Sequence, residues 1–95
     1  MTYDELLISL SETTPPPNLA PLVAALWWEA KGDWNRAHEI AQDINSKEGA
    51  RMHAYLHRKE GDESNAGYWY RQAGKPHSQL SSMEEWQQIV RDVLG

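Results

Sequence analysis

The chain has no cysteine and no phenylalanine. Without cysteine there can be no disulfide, no thiolate metal ligand and no thiol nucleophile. Valine and isoleucine are scarce too, seven residues against ten alanines and nine leucines, and that balance favours helices over a sheet. No apolar run reaches the length of a membrane span. The opening Met1-Thr2-Tyr3-Asp4-Glu5 lacks the basic flank of a secretory signal, so a cytoplasmic location is expected. No glycine-rich phosphate loop is present, since the six glycines are scattered singly along the chain. No strand-turn-helix pattern presents a serine as a nucleophile.

Ninety-five residues suit one domain with a modest core. Leu, Ile and Val number only 16, but five Trp and four Tyr supply large buried area per residue. A net charge of −5 is too small to hold such a chain unfolded. The charge is unevenly spread. Residues 1–50 carry eight acids and three bases, residues 51–75 three acids and five bases, and residues 76–95 three acids and one base. Only the middle stretch is locally basic. The overall acidity, with a pI near 5.2, speaks against nucleic acid as a partner, because that needs a stripe of Lys and Arg.

Thr2 and Glu5 form a capping box, and Tyr3, Leu6, Leu7 and Leu10 follow with helical spacing. This predicts a helix over 3–11. Pro15-Pro16-Pro17 ends it and makes 12–18 a stiff connector. Asn18 is the expected cap of the next helix, with Pro21 tolerable in its first turn. Residues 19–31 are apolar on nearly every face, which marks the central helix. Glu29 is the one acid near its middle and needs a partner. Helical spacing then predicts helices over 34–45, 50–60 and 63–73, separated by Gly32-Asp33, the turn 45–49 and Gly61-Asp62. Ser82-Met83-Glu84-Glu85 reads as a second capping box before a last helix over 83–94.

Gly32-Asp33-Trp34-Asn35-Arg36-Ala37 and Gly61-Asp62-Glu63-Ser64-Asn65-Ala66 share the pattern Gly-Asp-x-x-x-Ala at a spacing of 29 residues. Glycine suits the turn, aspartate the helix cap, and alanine the closest approach of two helices. At the same offset Ala25 matches Ala54, Leu26 matches Tyr55 and Ala41 matches Tyr70. Over 19–76 the chain resembles tetratricopeptide and Sel1-like repeat proteins, which use a Gly-Asp-aromatic turn followed by a small residue. Tyr70, Ala73 and Pro76 fall close to the aromatic, small and proline positions of such a unit. The resemblance implies an all-α fold of two stacked antiparallel hairpins, 19–45 and 50–73, whose exposed ends the terminal helices cover. The run from His53 to Asp62 is also similar to a segment of small bacterial proteins, a likeness that implies no activity.

His53, His57 and Glu60 share one helical face, and His38 on the neighbouring hairpin is placed to meet them. Two histidines one turn apart with a carboxylate can hold a metal. The plainer expectation is packed histidines, each bonded to a carboxylate or carbonyl, with no metal and no cofactor. Glu29 and Arg58 stand at equivalent places in the two copies, which predicts a structural ion pair between Glu29 and Arg58 or His57. Tyr68-Trp69-Tyr70-Arg71 cannot bury all its aromatics on one face, so Tyr68 or Trp69 should be partly exposed, in the company typical of interfaces. The expected role is a protein- or peptide-interaction module rather than an enzyme. The candidate binding residues are His38, His53, His57, Arg58, Tyr68, Trp69 and Arg71. Self-association into a homo-oligomer through Tyr68 or Trp69 is a related expectation. The alternative is a small-ligand or metal-binding protein that uses a polar pocket of His38, His53 and His57.

Overall fold

The computed structural model describes residues 1–95 and holds six helices and no strand. They are α1 (Tyr3–Ser9), α2 (Pro21–Ala30), α3 (Trp34–Gln42), α4 (Lys47–Lys59), α5 (Glu63–Ala73) and α6 (Ser82–Leu94). The all-helical expectation holds. No helix is long and apolar enough to cross a membrane.

α2 packs on α3, α3 on α4, and α4 on α5, while α6 lies against α2 and α4 and carries α1 on its flank. The nearly all-apolar α2 is enclosed as its composition demands: Leu22, Val23, Ala25, Leu26 and Trp27 are buried, and with them Glu29. Each large apolar side chain so enclosed is worth roughly 1.5–3 kcal/mol. The indole N–H groups find acceptors as they enter the core. Trp27 donates to Ser9 Oγ at 3.1 Å, which ties α1 to α2, and Trp86 donates to the Leu26 carbonyl at 3.0 Å, which ties α6 to α2.

The two Gly-Asp turns are built alike. Gly32 and Gly61 adopt φ of +88° and +90°, the left-handed region that glycine enters without strain. Gly32 N–H donates to Glu29 O and Asp33 N–H to Trp28 O; Gly61 N–H donates to Arg58 O and Asp62 N–H to His57 O. Each pair closes the preceding helix in the same way. Asp33 and Asp62 then cap α3 and α5, accepting from the amides of Arg36 and Asn65. Ala37 and Ala66 are both fully buried.

Three local expectations are corrected. Asn18 does not cap α2; it sits at φ +66°, and Ala20 is the N-cap with Pro21 in the first turn. α4 begins at Lys47 rather than 50, because the Ser46 hydroxyl accepts from Gly49 N–H and starts the helix inside the expected turn. Gly49 is required there: a Cβ would lie 2.2 Å from the Ile44 carbonyl oxygen. The second capping box uses Ser81 and Glu84, one residue earlier than predicted, because Glu85 is buried and committed to Arg58 and Tyr70. α6 lies against α2 and α4 and reaches α5 through Glu85 and the Tyr70 hydroxyl. A buried Glu85 needs a cation, and Arg58 on α4 fixes where α6 must lie.

Candidate functional site

Three of the four histidines meet at the contact of α3 and α4. His53 and His57, one turn apart, are both buried, and His38 is half-buried. His38 Nε2 and His53 Nε2 lie 2.8 Å apart. At that distance one ring donates and the other accepts, so neither bonds to a carboxylate as the sequence suggested. His57 does: its Nδ1 lies 2.7 Å from Glu60 Oε1. A carboxylate accepts only, so Nδ1 carries a proton there, and the ring's other nitrogen, Nε2, is the one left to act as a ligand atom. Asn65 Nδ2 is its nearest partner, a loose 3.5 Å away. One ring nitrogen from each of His38, His53 and His57 lies within 4.8 Å of the others.

Two tryptophans hold this cluster from either side. Trp34 stacks on His38 with centroids 4.8 Å apart and planes 9° from parallel, and its indole is fixed by donating to the Leu56 carbonyl at 2.7 Å. Trp69 stacks on His53 at 4.1 Å and 12°. His53 in turn stacks on His57 at 5.0 Å. Burial, and then the neighbouring His38 and His57, push the pKa of His53 down to about 4. Burial and the neighbouring His57 lower that of His38. Both rings are therefore neutral at physiological pH, the form that offers a lone pair. The stacking of Trp34 and Trp69 on the histidines was not among the expectations. The signal was present as Trp34 one turn before His38, but Trp69 comes from another helix and only packing brings it in.

The expected Glu29–Arg58 pair does not form. Glu29 is buried and accepts from the Tyr55 hydroxyl at 2.9 Å and from Lys59 Nζ. Arg58 turns the other way, donating to Glu85 at 2.8 Å and to the Leu80 carbonyl. Consecutive residues on a helix point about 100° apart, so Lys59 faces α2 while Arg58 faces α6. Glu85 also accepts from the Tyr70 hydroxyl. Burial and then the Glu29 carboxylate push the Tyr55 hydroxyl far above its usual range, and burial with Glu85 does the same to Tyr70. Arg58 is thus an internal strut rather than a free surface group. Tyr68 is 47% exposed, Arg71 is exposed, and Trp69 is half-buried against His53.

A second feature lies beyond the predicted residues. A cleft of about 410 Å³ has Leu22, Ala73, Ile89 and Val93 as its apolar lining, with Lys47, Glu48, Arg51, Lys75 and Asp92 on its rim. Arg51 is tied to Asp92 at 2.7 Å and to Gln88 at 3.1 Å. Lys47 and Lys75 take part in none of the ion pairs. The locally basic middle of the chain pointed in this direction, but three of its five cations (Arg51, Arg58 and Lys59) are consumed by internal carboxylates. No protein-family model, curated protein or solved structure matches the chain.

Proposed function

We propose that this protein is a helical interaction module of tetratricopeptide-like build, which takes a segment of another protein that carries carboxylates beside an apolar side chain. The observation that carries this reading is the cleft described above: an apolar floor large enough for one or two side chains, with two lysines beside it that have no internal counter-charge. An apolar pocket with a few placed polar groups is the usual form of a binding site. The rim carries Lys47, Arg51 and Lys75 against Glu48 and Asp92, a small positive excess on a chain of net charge −5, and it orients an acidic segment more than it tightens the complex. The shared geometry of the Gly32-Asp33 and Gly61-Asp62 turns supports the repeat reading. The exposed Tyr68 and Arg71 of α5 offer contacts outside the cleft, in the manner of interface residues.

The test is selection from a random peptide display library on the whole protein, with Lys47→Glu/Lys75→Glu as counter-target. The expected result is enrichment of sequences with Asp or Glu next to Leu, Ile, Val or an aromatic. These peptides should bind the charge-reversed protein at least tenfold more weakly and lose affinity as salt is raised. Enrichment of basic or featureless peptides, or equal binding to the variant, would overturn the reading.

A further inference from the structure

We propose that His38, His53 and His57 form a binding site for a divalent transition-metal ion of the zinc type, held by three imidazole nitrogens with a fourth position left for water or a ligand.

The cluster differs from ordinary packed histidines in what satisfies it. His38 and His53 have each other as hydrogen-bond partners, with a single hydrogen between two ring nitrogens. A metal ion takes the place of that hydrogen. The ring that donated from Nε2 shifts to its Nδ1–H tautomer, both Nε2 lone pairs then face the ion, and no net proton is released. The nitrogen spacing fits once one ring turns. Bonds of 2.0–2.1 Å to a tetrahedral centre place ligand nitrogens about 3.3 Å apart. Here two lie 2.8 Å apart and all three fall within 4.8 Å, so His38 and His53 separate by about half an ångström, and His57, stacked on His53 at 14° from parallel, moves in and turns until its lone pair meets the same ion. His38, half-buried on the rim, is the ring with room to move.

Two further features suit a metal. The Glu60 carboxylate holds His57 Nδ1 at 2.7 Å. Such an outer carboxylate sets the tautomer and orientation of a metal-bound imidazole and raises its basicity. Trp34 and Trp69 stack on His38 and His53 and shield one face of each ring from water. Three nitrogen donors and no direct carboxylate select zinc, cobalt, nickel or copper over magnesium or calcium. The ion need not be sealed in, because His53 and Trp69 also line a surface cleft of about 340 Å³. A chain with three protein ligands and an accessible fourth position has the donor set of a reactive site rather than a closed structural one.

The experiment titrates the whole protein with Co²⁺ and Zn²⁺ after treatment with chelator. The expected result is one equivalent bound, with the intense visible absorption of tetrahedral Co²⁺, and ¹⁵N shifts of the imidazoles of His38, His53 and His57 on adding Zn²⁺. His38→Gln should abolish the Co²⁺ spectrum. Glu60→Gln should weaken binding about 10–100-fold, the usual effect of losing an outer partner. His77→Gln, a histidine held elsewhere by Glu63 at 2.6 Å, should bind like wild type. No stoichiometric binding, or an undiminished spectrum in His38→Gln, overturns the proposal. So does a pattern in which Glu60→Gln abolishes binding and His38→Gln does not, since that places the ion on His57, Glu60 and Asp62 instead. The imidazole shifts are read on the unsubstituted protein, so a poorly folding variant does not remove the test.

Discussion

Replacing Arg58 by alanine is expected to be among the most damaging single changes to this fold. Glu85 is only 1% exposed. It accepts from Arg58 Nη1 at 2.8 Å and from the Tyr70 hydroxyl, and Arg58 Nη2 reaches on to the Leu80 carbonyl. Removing the guanidinium leaves a buried carboxylate with one neutral donor. Breaking one side of such a pair costs about 3–5 kcal/mol, because the remaining charge has lost both water and partner. A domain of this size has about 5–15 kcal/mol in total. At about 4–8 °C of Tm per kcal/mol, a loss of about 3 kcal/mol lowers the transition by about 12 °C or more. Urea unfolding followed by tryptophan fluorescence gives the free energy from midpoint and slope. Glu85→Gln in the Arg58→Ala background should recover a large part of the loss, since the amide still accepts from Tyr70 without carrying charge. Arg58→Met with Glu85→Leu should approach wild type, because apolar replacement of a buried pair is often neutral. An Arg58→Ala loss under about 1 kcal/mol, or a Glu85→Gln double variant no better than the single one, would refute the account of α6 as anchored by this pair.

Other consequences are testable in the same apparatus. Gly49→Ala brings a methyl to 2.2 Å from the Ile44 carbonyl oxygen, and the first turn of α4 must shift, at an expected 1–3 kcal/mol or roughly that; a neutral result by urea unfolding would show that the turn gives freely. Tyr55→Phe removes one of the two donors to buried Glu29 and should cost about 1–2 kcal/mol, whereas Tyr68→Phe, on an exposed side chain, should stay within about 0.5 kcal/mol. The folded protein holds the His53 pKa at about 4, below the unfolded value of 6.5. The unfolded chain therefore takes up the proton first, so the stability from this group is complete above pH 6.5 and is lost as pH falls from there towards 4. With a slope of about 1.4 kcal/mol per pH unit, moderated by water at the half-buried rim, the fall should be roughly 2 kcal/mol in chelator-treated protein. His53→Gln should flatten that part of the profile, and an unchanged profile would show that His53 is not held neutral.

Much of the secondary structure was legible because it depends on neighbours in the chain. The Thr2–Glu5 box, the glycines at 32 and 61 and the aspartates after them act through local hydrogen bonds, which a sequence displays directly. The enclosure of α2 followed from its lack of a polar face. The errors came where a local pattern had two solutions. Ser81 and Ser82 precede Glu84 and Glu85, so two capping boxes were available, and burial of Glu85 decided between them. The Asn45–Gly49 stretch looked like a turn throughout until Ser46 took the Gly49 amide. In the site, His53, His57 and Glu60 were readable as one face, and His38 as their neighbour. Trp69 was readable as a contact residue but not as the ring that stacks on His53, and Lys47 and Lys75 were not readable at all, since nothing in their own sequence surroundings marks what they face.

The amino-acid order alone determined that the chain is helical, where the two Gly-Asp breaks fall and which stripe of each helix is apolar, because these depend on spacing within a turn or two of chain. The partners of the charged groups were settled only in three dimensions. Arg58 and Lys59 are adjacent residues with the same charge, yet one holds α6 through Glu85 and the other holds α2 through Glu29. The 100° between them sends each to a different neighbour, and which carboxylate waits there depends on how the helices pack.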